Sequence, residues 1–430
     1  MSSSDLPPEQ SERTGQDVGP SRTGGELAKQ EPERLPRRSI GDVVRGTYRD
    51  VTAPIRGAFG AVGDRYRALP RWAQGLVALL VLAGAVALPF LMPAVTDRPN
   101  YWVAILLRVG IASILVMGLN VVVGFAGLLD LGYVAFFGIG AYTYSIMTGS
   151  VRFTLAQREG VENVLELKPE FEMYFWLIFL AAVVIAVIAG VILGAPTLRL
   201  RGDYLAIVTL GFGEIVRKLG DNLRGFTGGP LGVKSIPHPA VDIGPVEYAF
   251  GLANEAYYWL TIGFIVLIVV VVRRLDHSRV GRAWGAIRED ELAAAAMGVA
   301  TVRMKLWAFA LGGGIGALGG VMFASQISFM NPATLALLNP TYGSITVLAM
   351  VVIGGMGTIW GPIFGAAAIV ALPELSRPVG DARFVIFGLA IVIIMIFRPQ
   401  GLIPSRRRAA ELSGGEVREA SVYEVQEAAT

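Results

Sequence analysis

Apolar residues fall into long blocks between about residue 73 and residue 397, separated by short polar stretches. A membrane crossing needs about 20 mostly apolar residues. Eight blocks meet that standard: Ala73–Val95, Tyr101–Val123, Leu131–Gly149, Tyr174–Gly194, Tyr257–Val272, Leu306–Gln326, Ile345–Trp360 and Phe384–Phe397. Two weaker blocks are Tyr204–Val216, interrupted by Gly211, Gly213 and Glu214, and Ile363–Leu375, which is short. The pattern predicts an all-α, polytopic membrane protein.

Loop charge sets the count. Arg56, Arg65, Arg67 and Arg71 precede the first block, and Arg398 with Arg406, Arg407 and Arg408 follow the last. The positive-inside rule then places both termini in the cytoplasm, which requires an even number of crossings. About ten transmembrane helices fit best. Ten also puts inside the loop carrying Arg273, Arg274, Arg279, Arg282, Arg288, Arg303 and Lys305. The Glu-rich loop Ser150–Met173 and the Pro/Gly-rich loop Asp221–Ala256 fall outside.

The ends read differently. Residues 1–38 carry almost no apolar side chains, so they cannot bury enough surface to offset chain entropy and are expected to form a disordered cytoplasmic tail. In residues 39–71, Ile40, Val44, Tyr48, Val51, Ile55, Phe59, Val62 and Tyr66 recur at helical spacing, with arginines at other positions. That stripe suits an amphipathic helix lying on the inner membrane surface, or one packed on the rest of the protein. Residues 72–405 form the membrane domain and 406–430 a second cytoplasmic tail.

Composition narrows the chemistry. The chain is 53% hydrophobic and 17% charged, where soluble domains carry about 25% charge. With no cysteine and only two histidines, His238 and His277, thiol chemistry is excluded and neither a metal site nor a cofactor is expected. A net charge of +3 argues against nucleic-acid binding. No Gly-Lys dipeptide occurs, so the phosphate-cradling loop with its lysine is missing. The tail sequence Leu412-Ser-Gly-Gly-Glu416 is similar to an ATPase signature, but too little chain surrounds it to build a nucleotide-binding domain. ATP hydrolysis is expected in separate subunits.

Several residues remain as candidates. Arg282 to Met297 reads as one alanine-rich helix of about four turns, with Gly298 as its stop and Arg288, Glu289, Asp290 and Glu291 near its middle. Such a segment suits docking into a partner's groove, or rest on the membrane surface. Glu214 sits between glycines in a weak span. It lines a solvent path beside backbone loosened at Gly211 and Gly213, or it pairs with Arg217 or Lys218. Asp203 is expected to cap that helix. Asn120 and Asp130 flank a Gly-broken turn and either hold freed backbone groups or line a passage. The glycines at 312, 313, 314, 316, 319 and 320 read as close helix contact. Gly354, Gly355 and Gly357 shape a re-entrant turn or a tight packing site.

Several blocks together resemble the permease family of bacterial ABC importers for branched-chain amino acids, in particular the M-type subunit of the high-affinity Leu/Ile/Val system. They are Gly118 to Tyr142, Leu200 to Ile215, Thr227-Gly-Gly-Pro-Leu-Gly232, residues 281–298, Gly354-Gly-Met-Gly-Thr-Ile-Trp-Gly-Pro362 and Phe397-Arg-Pro-Gln-Gly-Leu402. The resemblance implies an inner-membrane permease that works with two ATPase subunits, a second homologous permease, a periplasmic amino-acid-binding protein and surrounding lipid. It also implies that 281–298 is the coupling helix, with Arg282, Arg288, Glu289, Glu291, Ala293, Ala294 and Gly298 at the ATPase contact. Asn120, Asp130, Gly211, Gly213, Glu214, Gly354 and Gly355 then stand along the substrate path. The broader motif (Glu-Ala-Ala, three residues, Gly) is met at Ala293, Ala294 and Gly298, but Leu292 occupies the Glu slot. A secondary, proton- or cation-coupled transporter and an ABC permease for urea or amides are the alternatives.

Overall fold

The structure is a computed structural model that describes residues 70–148, 153–154, 164–165, 175–198, 200, 202–243, 246–251, 253–375, 380, 382, 385, 388–389, 392 and 401–403. The two tails, the stripe from Ile40 to Tyr66, most of the Glu-rich loop and most of Phe384–Phe397 lie outside the described residues.

Five helices are long and apolar enough to cross a membrane: α1 (Arg71–Val95), α2 (Pro99–Asn120, continued by a π-helical turn Val121–Phe125), α4 (Phe175–Thr197), α6 (Asn254–Asp276) and α9 (Thr301–Ile327). Each reaches the 30 Å or so of a hydrocarbon core at 1.5 Å per residue. Three more apolar helices are shorter: α3 (Val134–Met147), α10 (Ser344–Gly354) and α11 (Gly361–Leu375). Helix α5 (Asp203–Asn222) has the length but carries five charged residues. Two short connecting helices, α7 (Arg279–Glu289) and α8 (Glu291–Ala296), lie between α6 and α9. Strand is confined, among the described residues, to three two-stranded antiparallel ribbons, one of which ties Val233–Lys234 to Phe329–Met330.

Helices α2 and α9 form the interior. Helix α9 packs on α2, α3 and α4, and α2 also meets α6, α10 and α11. Their burial follows from side-chain size. A Cβ on Gly312 of α9 would stand 2.6 Å from the Val122 side chain and 3.0 Å from the Gly118 carbonyl of α2, and one on Gly316 would stand 3.0 Å from the Tyr133 hydroxyl. Gly320 is pressed against the Phe137 carbonyl of α3. The glycines at 312, 316 and 320 thus form one face that admits neighbouring backbones, and the Tyr133 hydroxyl donates to the Gly312 carbonyl at 2.6 Å. This matches the close-contact reading, since apolar lipid supplies no hydrophobic drive for helix association and packing must supply it. Helix α1 is the opposite case: Leu76, Leu79, Leu80, Phe90 and Leu91 are all exposed, the surface a hydrocarbon solvent requires.

Four expectations need correction. The block Ile345–Trp360 is helical only to Gly354, because Gly355 (φ 117°) and Gly357 (φ 73°) adopt backbone that turns the chain out of the helix. At about 17 Å, α10 is a half-span. The block Leu131–Gly149 is helical only from Val134 to Met147. Conversely, the weak block around Glu214 is one unbroken helix, so Gly211 and Gly213 do not loosen the backbone. That helix starts after Gly202, which takes the cap position expected for Asp203.

Candidate functional site

The connector between α6 and α9 begins with a side-chain cap. Ser278 Oγ accepts from the backbone N–H of Val280 at 3.1 Å and of Gly281 at 3.4 Å, satisfying donors that a helix start leaves free. Gly281, Trp284 and Ile287 are buried at every third position of α7, so α7 lies against the bundle. The Trp284 indole donates to the Met304 carbonyl at 2.7 Å. The single helix expected over Arg282–Met297 is broken at Asp290, where the backbone is extended (φ −155°, ψ 112°). Asp290 Oδ1 accepts from Leu292 N at 2.8 Å and Ala293 N at 3.0 Å. An aspartate competes for backbone N–H groups in this way and starts a new helix rather than continuing the old one. Gly298 (φ 85°) terminates α8 as expected.

The seven residues assigned to this segment divide. Glu291 Oε1 meets Lys305 Nζ at 2.6 Å, and Lys305 is almost fully buried. Arg288 Nη1 donates to the Gly124 carbonyl at 2.6 Å. Ala294 is buried. These three hold the connector to the bundle. Arg282, Glu289, Ala293 and Gly298 are exposed, together with Leu292 and Met297, which are 63% and 85% accessible. Two large apolar side chains this open, on a helix pair otherwise capped and anchored, form a small apolar surface rimmed by charge.

Behind the connector two helices are broken side by side. Helix α2 ends in the π-helical turn, and α10 and α11 are joined by the bend 355–360. Asn120 braces one against the other: its Nδ2 donates to the Thr358 carbonyl at 2.8 Å and its Oδ1 accepts from Gly357 N at 2.9 Å. Thr358 Oγ1 donates to the Gly355 carbonyl and accepts from Gly361 N. The Leu402 and Ile403 N–H groups fill the carbonyls of Ile353 and Gly354. Non-helical backbone at membrane depth needs such internal partners. Gly354 and Gly355 therefore serve both readings, a turn and a tight contact, with Gly361 and Ile403 pressed against them.

Asp130 is buried in the turn before α3. Its Oδ1 accepts from Gly132 N at 2.9 Å, while Oδ2 has no hydrogen-bond partner. Thr209 of α5 accepts from Leu131 N at 3.1 Å, and Gly213 lies 3.0 Å, measured from a Cβ position, from Gly132 Cα. One face of α5 is thus locked to this turn. The other is open: Tyr204, Ile207, Glu214 and Lys218 are exposed at helical spacing, and Gly211 between them has no heavy atom near its Cβ position. Glu214 pairs with Arg217, which also reaches Asp221 at 3.3 Å.

Among the described residues no three metal-ligating side chains converge. His238 lies between the Tyr257 hydroxyl (3.0 Å) and Ser328 Oγ (3.1 Å), and His277 contacts the Arg273 carbonyl. Sequence reading missed the inward roles of Arg288 and Lys305. Lys305 left one trace, as one of five lysines and placed at the head of an apolar helix; the Arg288 contact spans 164 residues and left none.

The model of a family described as the branched-chain amino acid transport system / permease component matches residues 101–397. The chain is 38% identical over 360 residues to the high-affinity branched-chain amino acid transport system permease protein LivM of Escherichia coli, covering 79% of this chain and 77% of that one. It is 25% identical over 327 residues to the probable branched-chain amino acid transport permease protein LivM of Methanocaldococcus jannaschii, covering 72% and 86%. It is 28% identical over 225 residues to the autoinducer 2 import system permease protein LsrC of Salmonella typhimurium, covering 51% and 61%. No solved structure matches.

Proposed function

The chain belongs to the branched-chain amino acid permease component family, and from that premise we propose that it is a membrane subunit of an ATP-driven importer for branched-chain amino acids. The long match to LivM, a protein whose name carries that cargo, favours it over the amide alternative and over the autoinducer 2 of LsrC. The membrane domain 72–405 crosses the bacterial inner membrane about ten times, the half-span helices α10 and α11 and helix α5 contributing, with both termini cytoplasmic. Arginine enrichment of the α6–α9 connector supports that orientation.

The observation that carries the reading is the connector itself. Leu292 and Met297 stand open on a helix pair fixed from behind by Trp284, Arg288 and the Glu291–Lys305 pair. A rigid, partly apolar projection of this kind suits the groove of a cytoplasmic ATPase, with Glu289 and Arg282 at its rim and Ala293 permitting close approach. The open face of α5 turns toward a second permease. A carboxylate at membrane depth faces a cavity or a partner rather than lipid, and Gly211 leaves room beside Glu214. The path runs there, with Asn120, Asp130, Gly213, Gly354 and Gly355 holding its wall. An external binding protein delivers the zwitterionic amino acid.

The test is uptake into proteoliposomes by the chain purified with its native partners. The reading expects uptake of leucine, isoleucine or valine that requires ATP, both ATPase subunits and the second permease. Uptake by this chain alone, collapsing with the ion gradient, would replace it with a secondary transporter.

A further inference from the structure

Arg288 meets three elements at one point: α7, the π-helical turn that ends α2, and the α10–α11 bend. It sits on the last turn of α7. Its Nη1 donates to the Gly124 carbonyl, inside the π-helical turn that ends α2. The Gly357 backbone of the α10–α11 bend closes on the same guanidinium, since a Cβ there would stand 2.8 Å from Nη1 and 2.9 Å from the Gly124 carbonyl. Gly127 covers the Arg288 stem from the other side, 2.8 Å from Cγ on the same measure. The two broken helices are in turn tied to each other by the Asn120 side chain, through Gly357 N and the Thr358 carbonyl. Only glycine fits at 127 and 357, where φ is 72° and 73°, so the sequence has cleared space for this side chain on both sides.

The chemistry suits transmission of force. A carbonyl released by a π-turn lacks its helical donor, and a charged donor satisfies it more strongly than a neutral one. A π-turn is also a local departure from regular helix that occurs at functional sites. The docking surface proposed above lies one turn further on, across the Asp290 break. From this arrangement we infer that Arg288 is a positioning residue, the strut through which displacement of the α7–α8 pair reaches the breaks in α2 and between α10 and α11. It rests on the reading of α7–α8 as the ATPase contact and adds that Arg288 acts inward, not on the ATPase. A simple anchoring role, by contrast, would move stability without separating hydrolysis from transport.

The test compares Arg288→Met and Arg288→Lys in the full complex reconstituted with its ATPases, second permease and binding protein. With Arg288→Met, ATPase subunits co-purify at parental stoichiometry and ATP hydrolysis persists within about twofold, while amino-acid uptake falls at least about tenfold. Arg288→Lys, which keeps a donor of similar reach, recovers a substantial part of the uptake per ATP. As a second measurement, spin labels at Arg279→Cys and Trp360→Cys, both exposed positions in a chain without cysteine, report the distance between the connector and the bend. That distance stays fixed between nucleotide-free and ATP-trapped states when Arg288 is present, and changes when Arg288→Met is combined with the labels. Unaltered uptake in Arg288→Met, or a label distance that shifts equally with and without Arg288, overturns the strut. If the ATPases fail to co-purify with an otherwise folded Arg288→Met complex, Arg288 is a docking residue and the strut is again wrong. Failure of the docking reading shows separately, as ATPase binding indifferent to Leu292→Glu.

Discussion

Helices α9 and α5 both carry glycines through the middle of a long helix, with opposite results. In α9 the glycines at 312, 316 and 320 are filled by Val122, Tyr133 and the backbones of α2 and α3. In α5 Gly213 is filled in the same way by Gly132, but Gly211 on the reverse face meets nothing and stands among exposed Tyr204, Ile207 and Glu214. The glycine-rich middle of α9 is buried within this chain. Helix α5 is complete on one side only, and its open side carries charge that lipid does not accommodate. The same residue type marks an interior seam in one helix and, in the function proposed above, the interface with a second permease in the other.

Substitutions separate these two cases, beginning with the largest effect. Gly312→Leu drives a side chain into the Gly118 carbonyl and Val122 and is expected to cost about 3 kcal/mol, the upper part of the range for overpacking, read as a drop in thermal stability of the purified chain. Gly211→Leu should leave that stability unchanged and instead reduce co-purification of the second permease. If both behave alike, the contrast between the helices fails. Next, Asn120→Leu leaves the Gly357 N–H and Thr358 carbonyl unpaired, at about 1–3 kcal/mol for each buried group, again measured by thermal unfolding.

Glu291→Gln strips the buried Lys305 of its counter-charge. Breaking a fully buried pair costs about 3–5 kcal/mol; with Glu291 30% exposed, the expected loss is nearer about 2 kcal/mol once solvent screening is allowed for. The nearby Glu289→Gln, on the exposed side, should stay within about 0.5 kcal/mol, so two glutamates two residues apart sort inward from outward. The smallest effect is Glu214→Gln. An exposed ion pair with Arg217 is worth less than about 1 kcal/mol, so melting should barely move, while uptake falls if this face lines the path.

How much of this was legible in advance depended on whether the signal was local. The apolar blocks marked α1, α2, α4, α6 and α9 because twenty-residue hydrophobicity is a property of contiguous chain. The glycine seam of α9 was readable for the same reason. Where short polar residues intervened, pattern reading failed in both directions. It ran a helix through Asp290, whose side chain captures the next two backbone N–H groups, and through Gly355, whose backbone leaves helical space. It loosened α5 at Gly211 and Gly213, although a helix held by Thr209 and Gly132 tolerates both. The inward roles of Arg288 and Glu291 were out of reach, because a charged residue on an amphipathic connector has the same sequence whether it faces a partner or a group far along the chain.

The account turns on the claim that α7–α8 receives energy from a separate molecule. Because the chain has no cysteine, Met297→Cys introduces a single thiol at the exposed residue that follows α8, and its cross-linking within the purified complex tests the claim directly. The account predicts a covalent adduct with an ATPase subunit whose yield changes between nucleotide-free and ATP-trapped states. Efficient labelling of that thiol by an impermeant reagent added from the outer face of intact cells would contradict it.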